Sequence, residues 1–215
     1  MSCDLVCPTL FAEKVNKAFT GLIQQVGSIA TLQNYIYKIP YGCDVDLTAG
    51  QFNIGLKRCF EIYGGGVYRL YVNETHSGRG AASWLLNNGV LIDGSVHGYV
   101  HDFGVKDAPV GIEFSSQAGT SLGGSGKCFL RNIGFNNCTK GLQFGASGES
   151  NSHNDEGEYT HLYFYNCGTA VNVYNSQAVN QRFGKLMVDG TIDKVFLIEG
   201  GGKTVVEEIN FVSSS

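Results

Sequence analysis

The central part of the chain repeats one short pattern of apolar and polar residues. The segment I133-G-F-N-N-C-T-K-G-L-Q-F144 returns as L162-Y-F-Y-N-C-G-T-A-V-N-V173. Both copies carry apolar residues at positions 0 and 2 and again at 9 and 11, with Asn at 4 and Cys at 5. Apolar residues two apart are typical of a strand with one buried face. Each copy therefore predicts two short strands joined by a polar corner.

The same pattern extends to both sides of these two copies. Its starts are separated by 30, 29, 24 and 23 residues, at Phe103, Ile133, Leu162, Leu186 and Ile209. The second apolar pairs, nine residues after the first four starts, are Ile112/Phe114, Leu142/Phe144, Val171/Val173 and Val195/Leu197. A period of 20–50 residues indicates a solenoid, and neither helical periodicity nor a leucine-rich repeat is present. The pattern predicts an all-β parallel β-helix whose coils lie about 4.8 Å apart.

In stacked coils, residues at equivalent positions of successive coils become neighbours. Asn137 and Asn166 are expected to form a side-chain ladder at one corner, with Cys138 and Cys167 stacked just inside it. Neighbouring coils bring two cysteines within the separation that a disulfide needs. Solenoid stacking alone explains the alignment, so we expect the unbonded ladder, with the disulfide as the alternative.

Two insertions follow the second apolar pair of their coils, at Ser115–Lys127 and at Gly145–Gly157. They are expected to emerge side by side as paired polar loops. Insertions on one face of a solenoid are often where it binds.

The N-terminal segment has a different periodicity. Between Pro8 and Val26, apolar residues recur in steps of three and four, which predicts an amphipathic α-helix ended by Gly27. Two roles are open, namely capping the apolar end of the solenoid and self-association or docking. The predicted organisation is therefore a helical cap or assembly segment at 1–30 and a parallel β-helix at 31–215.

Composition and charge exclude several classes of protein. The 30 glycines among 215 residues are about twice the usual share, while prolines number only 3. A net charge of −4 without a basic cluster argues against a nucleic-acid partner. No apolar run approaches the roughly 20 residues of a membrane-spanning helix, so we expect no membrane insertion. No secretory signal is evident either, and release by cell lysis is one route out of a cell.

The coils from Tyr99 to Val173, above all NIGFNNCTKGLQF and HLYFYNCGTAVNV, resemble the single-stranded right-handed β-helix proteins of the pectate-lyase-like superfamily. The stretch C59-F-E-I-Y-G-G-G-V-Y-R-L-Y-V72 is similar to early strands of that group, and the resemblance extends from Leu47 to the C-terminus. The superfamily includes polysaccharide lyases, polygalacturonases and bacteriophage tailspikes and tail fibres, which are commonly homotrimers. The resemblance implies a right-handed coil, and the N-terminal helix brings the chain closer to the phage members.

Catalytic motifs of the superfamily are missing. The strings Asn-Thr-Asp, Asp-Asp, Gly-His-Gly and Arg-Ile-Lys do not occur, and no calcium-binding acid cluster can be assigned. Glycoside hydrolysis needs two carboxylates flanking the bond. The best supply of acids is one loop, whose weak catalytic candidates are Glu149, Asp155, Glu156 and Glu158. A solvated acidic loop explains the same residues, so no catalytic residue is assigned.

A second candidate surface follows from the strand pattern. If positions 0 and 2 point inward, positions −1, 1 and 3 point outward. The outward residues suited to glycan binding are His161, Tyr163, Tyr165, Asn132 and Asn136, since aromatic rings stack on sugars and amides bridge hydroxyls. The alternative is that these are ordinary exposed residues of a strand and bind no ligand.

Three further expectations complete the prediction. His97 and His101 beside Asp102 lack an evident third ligand, so we expect neither a metal nor a cofactor. Trimerisation would bury outward apolar residues such as Phe196. We expect a non-enzymatic virion protein of the tailspike, fibre or capsid-decoration kind, bound to itself, to other virion proteins and to host polysaccharide. The alternative is a polysaccharide depolymerase, either a lyase or a glycoside hydrolase.

Overall fold

The computed structural model describes residues 35–39, 44–55, 60–67, 83–93, 97–115, 126–145, 154–174 and 178–212. Within these ranges the chain is all-β, with no helix. The strands are β1 (Tyr35–Lys38), β2 (Asp44–Asp46), β3 (Phe52–Gly55), β4 (Phe60–Tyr63), β5 (Trp84–Leu86), β6 (Val90–Asp93), β7 (Gly98–Lys106), β8 (Val110–Ser115), β9 (Phe129–Asn136), β10 (Lys140–Phe144), β11 (Glu158–Tyr165), β12 (Thr169–Val173), β13 (Gln181–Asp189), β14 (Lys194–Ile198) and β15 (Thr204–Val212). The predicted N-terminal helix and the 1–30 segment lie outside the described residues.

Two parallel sheets account for all of these strands. Sheet A has the order β1-β4-β7-β9-β11-β13-β15, with β2 and β5 paired beside it, and sheet B has the order β14-β12-β10-β8-β6-β3. From β7 onwards the chain alternates between the sheets and returns each time one strand further along. We call each passage through both sheets a coil. This parallel, alternating arrangement is compatible with a parallel β-helix.

The strand register matches the repeat read from the sequence. Phe103 pairs with Ile133, Ile133 with Leu162, Leu162 with Leu186, and Leu186 with Ile209. The coil length therefore varies by up to seven residues without disturbing the register. The differences in length lie mainly between each strand of sheet B and the strand of sheet A that follows it.

One predicted pair is wrong by one residue. Val171 pairs with Phe196, rather than with Val195. The corner between β13 and β14 is one residue longer than the corresponding corner in the preceding coil, since Thr169 pairs with Lys194 although Leu162 pairs with Leu186. A shift of one residue moves a side chain to the other face of a strand.

The prediction that Phe196 is an exposed outward residue is therefore also wrong. Phe196 packs against the core, and its ring centroid lies 5.3 Å from that of Phe183 in an edge-to-face contact. The ring is partly buried, so its burial contributes less than the roughly 1.5–3 kcal/mol of a fully buried side chain.

The space between the sheets is filled by aromatic and aliphatic side chains in register. Phe114 stacks on Phe144 with ring centroids 5.1 Å apart, and Phe135 stacks on Phe164 at 5.0 Å. All four rings are almost completely buried. Offset stacking of this kind adds about 0.5–1.5 kcal/mol per pair beyond the burial itself.

Every coil turns at residues in the left-handed region of backbone space. One row of such residues bends the long strands of sheet A, at Asp102, Asn132 and His161. A second row follows these strands, at Asp107, Asn137, Asn166 and Gly190. A third precedes them, at His97, Lys127, Glu156 and Asn180. Asn, Asp and Gly tolerate this conformation better than other residues, which explains the polar corners of the repeat.

The predicted corner ladder lies in the second row. Asn137 Nδ2 donates to Asp107 Oδ1 at 2.6 Å, and the backbone N–H of Thr191 donates to Asn166 Oδ1 at 2.9 Å. Asn137 is thus tied to the coil before it and Asn166 to the coil after it.

The two predicted polar loops have adjacent roots. The Gly145 N–H donates to the carbonyl of Phe114 at 2.7 Å where the loops begin, and the Lys127 N–H donates to the carbonyl of Asp155 at 2.8 Å where they end. Residues 116–125 and 146–153 between these roots lie outside the described residues.

Candidate functional site

A groove of about 380 Å³ lies on the outer surface of sheet A, along the row of bends. Its lining residues come from three successive coils and are Tyr99, His101, Asp102, Arg131, Asn132 and His161. We call this feature the bend groove. A bend in each of three neighbouring strands makes a concave surface that a flat sheet would not offer.

The local sequence explains why the strands bend here. Asp102 and Asn132 adopt φ values of 62° and 54°, and His161 adopts 53°. A residue with positive φ breaks the alternation of the strand, so that Val100 and Phe103, on either side of the bend, both point inward. His101 then points outward, directly beside the bend residue.

The coil before β7 is interrupted where the later strands bend. β4 pairs with the first half of β7, and β5 pairs with its second half. Between them the chain leaves the sheet after Gly64, whose N–H donates to the carbonyl of His101, and returns at Ser83, whose carbonyl accepts from the Gly104 N–H.

A hydrogen-bond network crosses the floor of the groove. His101 Nε2 lies 3.0 Å from Glu61 Oε1, and His101 Nδ1 lies 2.7 Å from Asp102 Oδ2. The other oxygen of Asp102 accepts from Asn132 Nδ2 at 2.6 Å. The four side chains come from β4, β7 and β9, so the network holds three coils together and fixes the rotamers of the groove.

Aromatic rings lie against the same histidine. The Tyr99 ring stacks on His101 with centroids 4.3 Å apart, and the Tyr63 ring lies 5.7 Å away at an interplanar angle of 14°. Tyr99 is 36% exposed, whereas the His101 side chain is 16% exposed. Tyr99 therefore presents apolar surface to solvent above a polar floor.

The other two groove residues supply donors. Arg131 is exposed and has no hydrogen bond or ion pair with any part of the chain that the structure describes. His161 Nδ1 lies 3.0 Å from the Thr160 hydroxyl oxygen, and its ring faces the groove. An exposed guanidinium and an imidazole that line the same groove as Asp102 and Asn132 suit a ligand rich in hydroxyl or acidic oxygens.

The glycan-binding residues predicted from the sequence divide between two places. Asn132 and His161 line the bend groove. Tyr163 and Tyr165 lie beyond the bend, in the second half of β11, and are half-buried. Asn136 is only 7% exposed, so it presents little surface to a ligand.

The acidic candidates do not converge on the groove. Glu156 forms an ion pair with Lys127 at 3.3 Å, and Asp155 Oδ1 accepts from the Val179 N–H at 3.4 Å. Glu158 is exposed on β11. Glu149 lies outside the described residues. None of the three described acids lines the groove.

The sequence analysis missed two groove residues, Tyr99 and Arg131, and it missed Glu61, whose carboxylate contacts His101. Strict alternation places Tyr99 and His101 on the same side as Phe103, because the break at Asp102 is invisible in the apolar pattern. Asp102 and Asn132, which directly precede the first two apolar pairs, are the signal that could have revealed the bend. Glu61 is 40 positions from His101 in the chain, and no local pattern joins them.

The three described cysteines are free and buried. Cys138 Sγ donates to the Val105 carbonyl at 3.5 Å, and Cys167 Sγ donates to the Phe135 carbonyl at 3.6 Å. The hydrogen bond to Cys167, together with burial, raises the pKa of the Cys138 thiol well above its usual range. Burial raises the pKa of Cys128 to about 12. Both groups are therefore protonated and unreactive at neutral pH.

Comparison with protein-family models, with curated proteins and with solved structures finds no significant match. Among the described residues, no group of three or more His, Cys, Asp or Glu side chains is arranged to hold a metal ion. The same part of the chain contains no helix long and apolar enough to cross a membrane. The described chain is an all-β structure of parallel strands compatible with a parallel β-helix.

Proposed function

We propose that the chain is a right-handed parallel β-helix protein whose bend groove binds a carbohydrate chain. The observation that carries the proposal is the pairing of the exposed Tyr99 ring with polar groups of neighbouring coils in one concave surface. A sugar offers an apolar ring face and a rim of hydroxyl groups. An aromatic face beside amide, carboxylate and guanidinium groups is complementary to both features.

The groove is preorganised, which favours a ligand-binding site over a polar surface that binds nothing. The network through Glu61, His101, Asp102 and Asn132 holds the groove side chains before any ligand arrives. Ordering a rotamer-rich side chain on binding costs about 0.5–1.5 kcal/mol. A groove whose floor is already ordered avoids most of that cost.

The setting that we propose is a bacteriophage virion, in a non-enzymatic tailspike, fibre or capsid-decoration protein that contacts host polysaccharide. The resemblance of the coils to that group supports the proposal. From the same resemblance we expect a homotrimer that contacts other virion proteins. Light scattering on the full chain and on a variant without residues 1–30 tests it: a trimer is expected for the full chain, and loss of the trimer would assign assembly to that segment. A monomer in both forms would contradict the trimer.

The groove is tested by glycan-array binding followed by calorimetry on the best array ligand. Tyr99→Ala and Arg131→Ala are expected to weaken binding at least tenfold, because each removes a ligand contact and neither residue is in the core. Tyr163→Ala and Arg182→Ala are the matched controls, since both lie outside the groove. Equal losses in the groove variants and the controls would contradict the assignment of the groove.

One observation favours the alternative, a polysaccharide depolymerase. Two carboxylates, those of Glu61 and Asp102, lie in the groove region on opposite nitrogens of His101. Acid–base cleavage of a glycosidic bond needs two such groups. Incubation of the array ligand with protein distinguishes the two functions. Shortened products that disappear in Glu61→Gln and Asp102→Asn would establish cleavage, whereas an intact ligand supports binding alone.

A further inference from the structure

The histidine at the centre of the bend groove faces a carboxylate at each of its ring nitrogens. His101 Nε2 is 3.0 Å from Glu61 Oε1, and His101 Nδ1 is 2.7 Å from Asp102 Oδ2. A neutral imidazole has one N–H donor and one acceptor nitrogen. In the neutral ring, one of the two contacts therefore sets a nitrogen lone pair against a carboxylate oxygen. Only the protonated ring donates to both carboxylates.

The contact with Glu61 joins two coils, whereas the contact with Asp102 lies within one strand. Glu61 belongs to β4, whereas His101 and Asp102 belong to β7. Asp102 in turn accepts from Asn132 of β9. Loss of one histidine contact therefore frees either Glu61 or Asp102, and Asp102 also accepts the hydrogen bond from Asn132 in the next coil.

Other charged or titratable groups surround this histidine. Tyr63 of β4 and Tyr99 of β7 stack on its ring. Arg131 is its register partner in β9, and His161 of β11 lines the same groove. The arginine stays charged over the physiological range. His161 is the second histidine of the groove, so its contribution must be separated from that of His101 by experiment.

We propose that His101 is a proton-operated clasp of the bend groove. The protonated ring holds Glu61 and Asp102, and through Asp102 it holds Asn132, in the ligand-binding arrangement. Loss of the proton releases one carboxylate and loosens the groove. Histidine is the side chain that changes charge between about pH 5 and 8. Carbohydrate binding is accordingly stronger with the protonated ring and weakens when a rise in pH removes the proton.

The proposal rests on the proposed carbohydrate groove, but its test needs no glycan. Ring ¹⁵N spectra of the full chain are recorded between pH 5 and 8. We expect both His101 nitrogens to carry protons at pH 5 and one of them to lose its proton by pH 8. The side-chain amide signal of Asn132 is expected to move with the same midpoint. A neutral His101 ring at pH 5 would overturn the clasp, as would an Asn132 signal that stays constant while His101 titrates.

Two variants identify the histidine whose protonation controls the Asn132 amide signal. In His161→Gln the titration of the Asn132 amide is expected to persist, whereas in His101→Gln it is expected to vanish. The reverse result would transfer the clasp to His161 and refute the proposal. Since the wild-type spectra alone decide the protonation state, a poorly folded His101→Gln protein does not leave the question open. Failure of glycan binding with a normal His101 titration would contradict the proposed function and leave the clasp intact.

Discussion

Asn137 offers a quantitative test of the corner row that joins the two sheets. Its backbone has φ of 52°, its side chain is exposed, and its Nδ2 donates to Asp107 Oδ1 at 2.6 Å. Its N–H donates to the Tyr165 carbonyl at 2.9 Å, a bond that any residue except proline keeps. Alanine in this conformation costs about 1–2 kcal/mol, and an exposed hydrogen bond contributes about 0.5–1.5 kcal/mol.

Two substitutions separate these contributions. Asn137→Ala loses the hydrogen bond and is strained, so we expect the free energy of unfolding to fall by about 2 kcal/mol. Asn137→Gly loses the bond without strain, and its larger unfolded-state entropy adds only about 0.5–1 kcal/mol. Glycine is therefore expected to be better tolerated than alanine. The chain itself uses Gly190, with φ of 69°, at the equivalent corner.

Urea denaturation followed by circular dichroism measures both variants, provided that the m-value stays constant. The control is Thr139, which is exposed in the same corner and does not adopt a positive φ. There the order is expected to reverse, with glycine less stable than alanine. If Asn137→Ala proves as stable as Asn137→Gly, the conformational argument for the corner rows is refuted.

Three further predictions concern the core. Burial raises the pKa of Cys128 from 9.0 to about 12, so between these pH values the folded state keeps a proton that the unfolded state loses. Over this range the thiol is expected to lower the free energy of unfolding by about 1.4 kcal/mol for each pH unit. Urea denaturation at a series of pH values is expected to show that Cys128→Ala removes this slope. In Gly141→Ala the new methyl group would lie 2.5 Å from a carbon of the buried Phe164 ring. We expect the free energy of unfolding, measured by thermal denaturation, to fall by about 1–3 kcal/mol. An unchanged melting temperature would contradict this packing. Tyr159→Phe removes the 2.6 Å hydrogen bond to Gln181 Oε1 inside the core; a loss of about 1–3 kcal/mol is expected in urea, and a neutral result would show that another donor reaches that oxygen.

The clearest sequence-level result is the stacking of like residues. Apolar pairs at i and i+2 are local features of a strand, and their return at a fixed offset specifies which residues become neighbours. Leu142 and Phe144 pair with Val171 and Val173 as that offset requires. Such pairing follows from the sequence because each coil buries its apolar face only against the same positions of the next coil.

The longer corner before β14 shows where this reasoning stops. The apolar run V195-F-L-I198 accommodates two registers, and the sequence pattern alone favours the wrong one. The backbone ladder from Thr169 to Lys194 decides the register, which turns Phe196 towards Phe183 in the core. A register is a property of two strands together, so neither strand determines it alone.

The sequence by itself determined an all-β chain of parallel, repeating strands with polar corners, because those features depend on residues within one coil or at one fixed offset. Only the tertiary structure decided the bend groove. The left-handed backbone at Asp102 reverses which side chains face outward, and stacking then brings Glu61 to His101 across 40 positions of the chain. The groove arises from contacts between coils. The physical reason is that a left-handed residue breaks the alternation of the strand, so the side chains before it face the opposite side from the one that strict alternation predicts.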